Sequence, residues 1–90
     1  MVRYMKKVVQ VTATTTAQDI KIQNTPFFIS NASAAETVYI KDKQGVDVTA
    51  SNGFAIPPLT TVQNLLTCDT LSIIAGANTA KVSIMLTDIG

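Results

Sequence analysis

The groups in this 90-residue chain that could do chemistry are six carboxylates, one thiol and five aromatic rings. The carboxylates are Asp19, Glu36, Asp42, Asp47, Asp69 and Asp88. Asp42 and Asp47 are the nearest pair in sequence, and two converging acids could run glycoside hydrolysis by acid–base exchange. Both flank the Lys43-Gln44-Gly45 turn, however, where acids ordinarily stay hydrated or accept local amides. Histidine is absent. That removes Ser–His and Cys–His nucleophile pairs, the commonest general base and the commonest metal ligand. "DKQGVD" lacks the density of oxygen ligands at fixed offsets that a calcium loop needs. The four glycines are scattered and form no phosphate loop. Cys68 has no partner for an internal disulfide, supplies no metal cage by itself, and reads as a small apolar group. The expectation is a protein with no catalytic, cofactor or metal site.

The aromatics offer binding rather than reaction. Sugar-binding β-modules use flat rings, and tryptophan is absent, leaving Tyr4, Phe27, Phe28, Tyr39 and Phe54. Phe54, beside Asn52-Gly53, is the best-placed exposed ring, although such a residue more often folds back over the core. Single-stranded nucleic acid requires rings interleaved with basic groups. Tyr4 between Arg3 and Lys6 is the one instance. With a net charge of +1 the chain sets up no field that would draw in a polyanion, and so short a cluster neutralises few phosphates. Arg3, Lys6 and Lys7 read as a solvated N-terminus. No nucleic acid or membrane partner is expected, and the lack of tryptophan disfavours carbohydrate: no apolar run approaches the roughly 18 residues of a membrane span, and no secretory h-region follows the N-terminus.

The elements that must carry these groups have period two throughout. "KKVVQVTATTT" (Lys6 to Thr16) is rich in β-branched residues, which suit a pleated surface. "QDIKIQ" alternates Ile20 and Ile22 with polar neighbours, and "NTP" interrupts it because proline removes a ladder donor. "FFIS", "TVYIKD", "VDVTA", "TTVQNLL", "TLSIIA" and "KVSIMLTDI" follow as strands. "KQG" reads as a turn, with Gly45 free to take positive φ. Asn52-Gly53 has the composition of a tight primed turn. "IPPL" cannot sit inside a central sheet, so Pro57 and Pro58 mark an edge crossing or loop. "GANT" reads as a hairpin loop. Turn signals near every ten residues give one domain over 1–90. Its expected fold is all-β: a small antiparallel β-sandwich, or barrel-like sheet, of about seven or eight short strands.

The phase separates an inside from an outside. Val38, Ile40, Leu71, Ile73, Val82, Ile84 and Leu86 share the apolar phase and should fill the core. Thr37, Lys41, Ser72, Lys81 and Ser83 should be wet. Phe28, Tyr39, Ile74 and Met85 are apolar but fall in the outward phase, so they are expected to join into a patch that meets another subunit. The low charged fraction, 14% against the usual quarter, points the same way, because Thr, Ser, Asn, Gln and Ala are cheap to desolvate.

The pattern "FFISNASAAETVYIKDKQGVDVTASNGFAIPP … LSIIAGANTAKVSIML" resembles small all-β proteins encoded among the virion structural genes of tailed bacteriophages. Ile29 and Asn31 match an I-x-N strand, and Thr37 to Ile40 a "T-V-Y-I" strand. Val48 to Ala50 with Asn52 to Phe54 match "V-T-A-x-N-G-F", continued by Ile56 and Pro58. Leu71, Ile74 and Ala75 match a later "L-x-x-I-A" strand. The likeness spans roughly Thr12 to Leu86. Lys41 stands where glycine often follows "V-Y-I", and the next turn is longer. The resemblance implies a non-enzymatic virion component, assembled in the host cytoplasm. The leading reading is a capsid decoration (cement) protein that binds the major capsid protein from outside as a homo-oligomer, with a trimer favoured. A head–tail connector, collar or tail-fibre accessory is the alternative, and a carbohydrate-binding attachment module a further one. The contact residues expected are Phe28, Tyr39, Ile74 and Met85, with Val2, Arg3 and Tyr4 in an N-terminal arm (1–9) that could be donated to a neighbouring sheet edge. Gly45, Asn52, Gly53, Pro57 and Pro58 are expected to set turns and register.

Overall fold

The computed structural model describes residues 3–64 and 68–89, and side chains over 7–63 and 68–87. Eight strands form: β1 Arg3–Ala13, β2 Gln18–Lys21, β3 Phe27–Asn31, β4 Val38–Asp42, β5 Phe54–Ile56, β6 Thr60–Asn64, β7 Thr70–Ala75 and β8 Ala80–Ile89. They make two four-stranded antiparallel sheets, ordered β1-β8-β3-β6 and β2-β7-β4-β5. The chain is thus a small all-β sandwich. β1 pairs with β8, β2 with β7, β3 with β6 and β4 with β5. The chain is in effect one long antiparallel ribbon folded at its middle. The ribbon then rolls up, closing through β3–β8 and β4–β7. This strand order is that of a jelly roll.

Alternation produces the core as expected. Val38, Ile40, Leu71, Ile73, Val82, Ile84 and Leu86 are all buried, joined by Ile20, Ile22, Phe27, Ile29 and Ile56. Each of these side chains contributes about 1.5–3 kcal/mol relative to exposure.

Several local expectations change. "VDVTA" is not a strand: residues 46–50 fold back over the outside of the second sheet, and β5 forms later at Phe54–Ile56. The backbone amide of buried Val48 donates to Ser72 Oγ at 3.1 Å. Ser72, expected wet, is therefore fully buried (0% exposed) under this segment. "GANT" is not a hairpin loop, because β7 and β8 belong to different sheets and Gly76–Thr79 crosses between them.

The primed turn also sits elsewhere. Asn52 and Gly53 do not have positive φ. Gln23 and Asn24 do, at 53° and 57°, closed by Thr25 N donating to Ile22 O at 3.0 Å. Gly53 is required instead by close approach. A Cβ there would lie 2.6 Å from Val48 Cγ2 and 2.9 Å from Tyr39 Cβ. Gly45 does take positive φ, at 81°. Pro57 and Pro58 follow the edge strand β5, where a missing donor costs no ladder bond.

Candidate interaction surfaces

Phe28, Tyr39, Ile74 and Met85 do not form one patch. They divide into two cross-strand pairs on opposite outer faces: Phe28 with Met85 on the first sheet, Tyr39 with Ile74 on the second. Sequence phase identifies outward residues, but a sandwich has two outsides. All four are half-buried rather than fully exposed.

The outer face of the first sheet can be read row by row. One row runs Val8–Met85–Phe28–Gln63, the next Gln10–Ser83–Ser30–Thr61. In the second row Ser83 Oγ donates to Gln10 Oε1 at 2.9 Å and Thr61 Oγ1 to Ser30 Oγ at 3.0 Å. Val8, 45% exposed, extends the Met85–Phe28 apolar contact toward the β1 edge. The row escaped sequence reading because Val8 acquires its neighbours only through the β1–β8 register. Across Val8–Thr12, Phe28–Ser30, Thr61–Gln63 and Lys81–Met85, the outward positions carry one charge, Lys81. Such a face loses little when desolvated, since its hydroxyls and amides already satisfy one another.

The second sheet differs. Lys43 binds Asp19 at 3.3 Å and also pairs with Asp47; Lys21 meets Asp69 at 2.8 Å and Lys41 meets Asp42 at 3.8 Å. The Lys21 pairing raises the lysine pKa and lowers that of Asp69, mainly through their hydrogen bond. These exposed pairs contribute little stability. The candidate acids Asp42 and Asp47 are thus each engaged by a lysine. Burial, with Asp42 and Asp69 nearby, pushes the Cys68 thiol up, away from the thiolate a nucleophile needs.

At one end the sandwich opens into a cleft of about 920 Å³. Among its described lining residues, Ile29, Ile40 and Leu71 form an apolar floor and Asn52, Gln44 and Asp42 line the walls. Phe54 shares the inward phase, opposite Ile40, yet at this open end it stays 59% exposed. It is not folded over the core as a lid.

The opposite end is held by Asn31, the residue of the I-x-N pattern. Its Nδ2 donates to the carbonyls of Glu36 (2.7 Å), Ile56 (3.0 Å) and Pro57 (3.2 Å), and its Oδ1 accepts from Ser33 N (3.0 Å). Glu36 Oε1 in turn accepts from the amides of Ala77 (2.6 Å) and Asn78 (3.0 Å), which lowers the carboxyl pKa. Three connections are thereby tied together at one end of the roll.

Of the N-terminal positions, Val2 lies outside the described residues, as do the side chains of Arg3 and Tyr4. Residues 3–9 belong to β1 and pair with β8 of the same chain, rather than standing off as an arm. The pairing satisfies the outer edge of β8 within the chain and leaves β1 as a sheet edge.

No protein family, no curated protein and no solved structure matches this chain.

Proposed function

We propose that this chain is a non-enzymatic virion structural protein, a capsid decoration protein that binds the outside of an assembled phage capsid as a homo-oligomer. The observation that carries this reading is the outer face of the first sheet, where the Val8–Met85–Phe28 row is set in hydroxyls and amides and Lys81 is the one charge across Val8–Thr12, Phe28–Ser30, Thr61–Gln63 and Lys81–Met85. The molecule is a slab measuring 38 × 30 × 17 Å, so a broad face offers more than the ~800 Å² per partner of a standard stable interface. The likeness to phage virion proteins supports the same reading. Jelly rolls also recur in viral capsids, which is support by fold analogy alone.

The test mixes purified protein with capsids that lack it and measures bound copies and heat resistance. Saturable binding with a raised melting temperature is expected. Failure to bind expanded capsids, at any concentration that keeps the protein folded, removes the proposal.

One observation favours a second reading, host attachment through a glycan. Phe54 presents an exposed ring beside a cleft walled by Asn52, Gln44 and Asp42, the mixture of platform and planar polar groups that holds a sugar. Saturable binding on a glycan array, abolished by Phe54→Ala, would select it over cementing.

A further inference from the structure

Asn52-Gly53 is the one Asn-Gly dipeptide in the chain, and it lies apart from the outer face of the first sheet. Asparagine is thermolabile. A following glycine, with no Cβ to obstruct, lets its amide nitrogen reach the asparagine side chain. In that reaction Gly53 N gives up its proton to solvent base and attacks Asn52 Cγ. A C–N bond forms, the Cγ–Nδ2 bond breaks and ammonia leaves. Water then opens the five-membered imide at either carbonyl. The product is an aspartyl or an isoaspartyl residue at position 52.

The fold holds both reacting groups away from this path. Gly53 N donates to Thr49 O at 3.0 Å. Asn52 Oδ1 accepts from Thr49 N at 2.6 Å, and Nδ2 donates to Asp47 O at 3.3 Å. Thr49 Oγ1 accepts from the amides of Ser51 and Asn52, both at 3.2 Å. The nucleophile is thus occupied as a donor, and the electrophile is pinned by both ends of its amide. Attack requires this turn to open first.

We propose that Asn52 is a spontaneous deamidation site gated by opening of the 47–53 turn, and that its isoaspartyl product cannot reclose. An isoaspartyl link inserts a methylene into the backbone just before Gly53 and displaces a glycine packed so closely that a Cβ on it would meet Val48 Cγ2 at 2.6 Å and Tyr39 Cβ at 2.9 Å. Closure would force Val48 off Ser72 and uncover the outer face of the second sheet. The aspartyl product keeps the backbone length and an oxygen for Thr49 N and gives up only the long, exposed bond to Asp47 O, so it recloses.

The experiment ages the full chain in mildly alkaline buffer, native and in urea above its unfolding midpoint, and follows amide-to-acid conversion by peptide mass mapping. The expected first product maps to position 52. The native rate should be at least about tenfold below the unfolded rate, an opening free energy of ~1.4 kcal/mol or more. Thr49→Ala, checked as folded by circular dichroism, should convert several-fold faster than the parent. Isolated isoaspartyl protein should exchange the amides of 48–53 faster, while Asn52→Asp should exchange them like the parent. Equal native and unfolded rates, earlier conversion at another asparagine, an unaccelerated but folded Thr49→Ala, or parent-like exchange in the isoaspartyl form would each overturn the proposal.

Discussion

Asn31 on β3 donates a hydrogen bond to the carbonyl of Ile56 on β5 at 3.0 Å, joining the two sheets through a side chain that is 1% exposed. The same amide reaches Glu36 O and Pro57 O, so its two N–H groups are shared among three carbonyls. Asn31→Ala should lower stability by about 2–4 kcal/mol, since each buried group left unsatisfied costs roughly 1–3 kcal/mol. Asn31→Asp should fare no better at neutral pH, because it presents an acceptor where the carbonyls require a donor. Urea titrations read both as a lower midpoint with the slope unchanged. A parent-like Asn31→Asp would refute the staple.

The two turn glycines should respond differently to alanine. At Gly53 the new Cβ collides with Val48 and Tyr39, and overpacking of this kind costs about 1–3 kcal/mol. At Gly45 there is open space, and only the left-handed backbone (φ 81°) opposes a side chain, at roughly 1 kcal/mol. Gly45→Asn should recover most of the second loss and Gly53→Asn none of the first. Thermal midpoints of the four variants make the comparison.

Glu36 gives a pH dependence of defined sign. Hydrogen bonds from the Ala77 and Asn78 amides lower its folded pKa below the unfolded value. Its stabilising contribution is therefore complete above the unfolded carboxylate range and disappears as pH falls through the folded pKa. Glu36→Gln should be less stable than the parent at neutral pH, and the gap should close in acid. Because the Lys21–Asp69 pair is common to both proteins, it cancels in the difference. A gap that persists below the carboxylate range would assign the loss to shape rather than charge.

Leu59 has φ of 56° and is 72% exposed, so a strained backbone there holds a bulky apolar side chain in water. Leu59→Asn should raise stability by about 0.5–1 kcal/mol, since asparagine tolerates this conformation far better. Thermal and urea midpoints of Leu59→Asn check this, and an unchanged or lower midpoint would show that the backbone at this position carries no strain.

Met85→Glu places a charge in the middle of the Val8–Met85–Phe28 row and should weaken capsid association by at least about tenfold, equivalent to ~1.4 kcal/mol. Lys43→Gln, on the charged face, should leave association unchanged. Co-sedimentation with capsids measures both. The reverse pattern would assign docking to the second sheet.

The sequence by itself determined the all-β class, most of the strands, which phase faces inward, and some of the bends. Alternation at Val38–Ile40, Leu71–Ile73 and Val82–Leu86 requires one buried face, Pro57-Pro58 forbids a central position, and Gly45 permits positive φ. These are properties of a residue and its near neighbours. Only the tertiary structure decided which strands are adjacent. It placed Phe28 beside Met85 and Tyr39 beside Ile74 on opposite faces, made "GANT" a crossing between sheets, and buried Ser72 beneath Val48. Period two specifies in or out but carries no label for the partner strand. That pairing is fixed by long-range packing and by groups such as Asn31, whose hydrogen bonds reach residues 25 and 26 positions away in the chain.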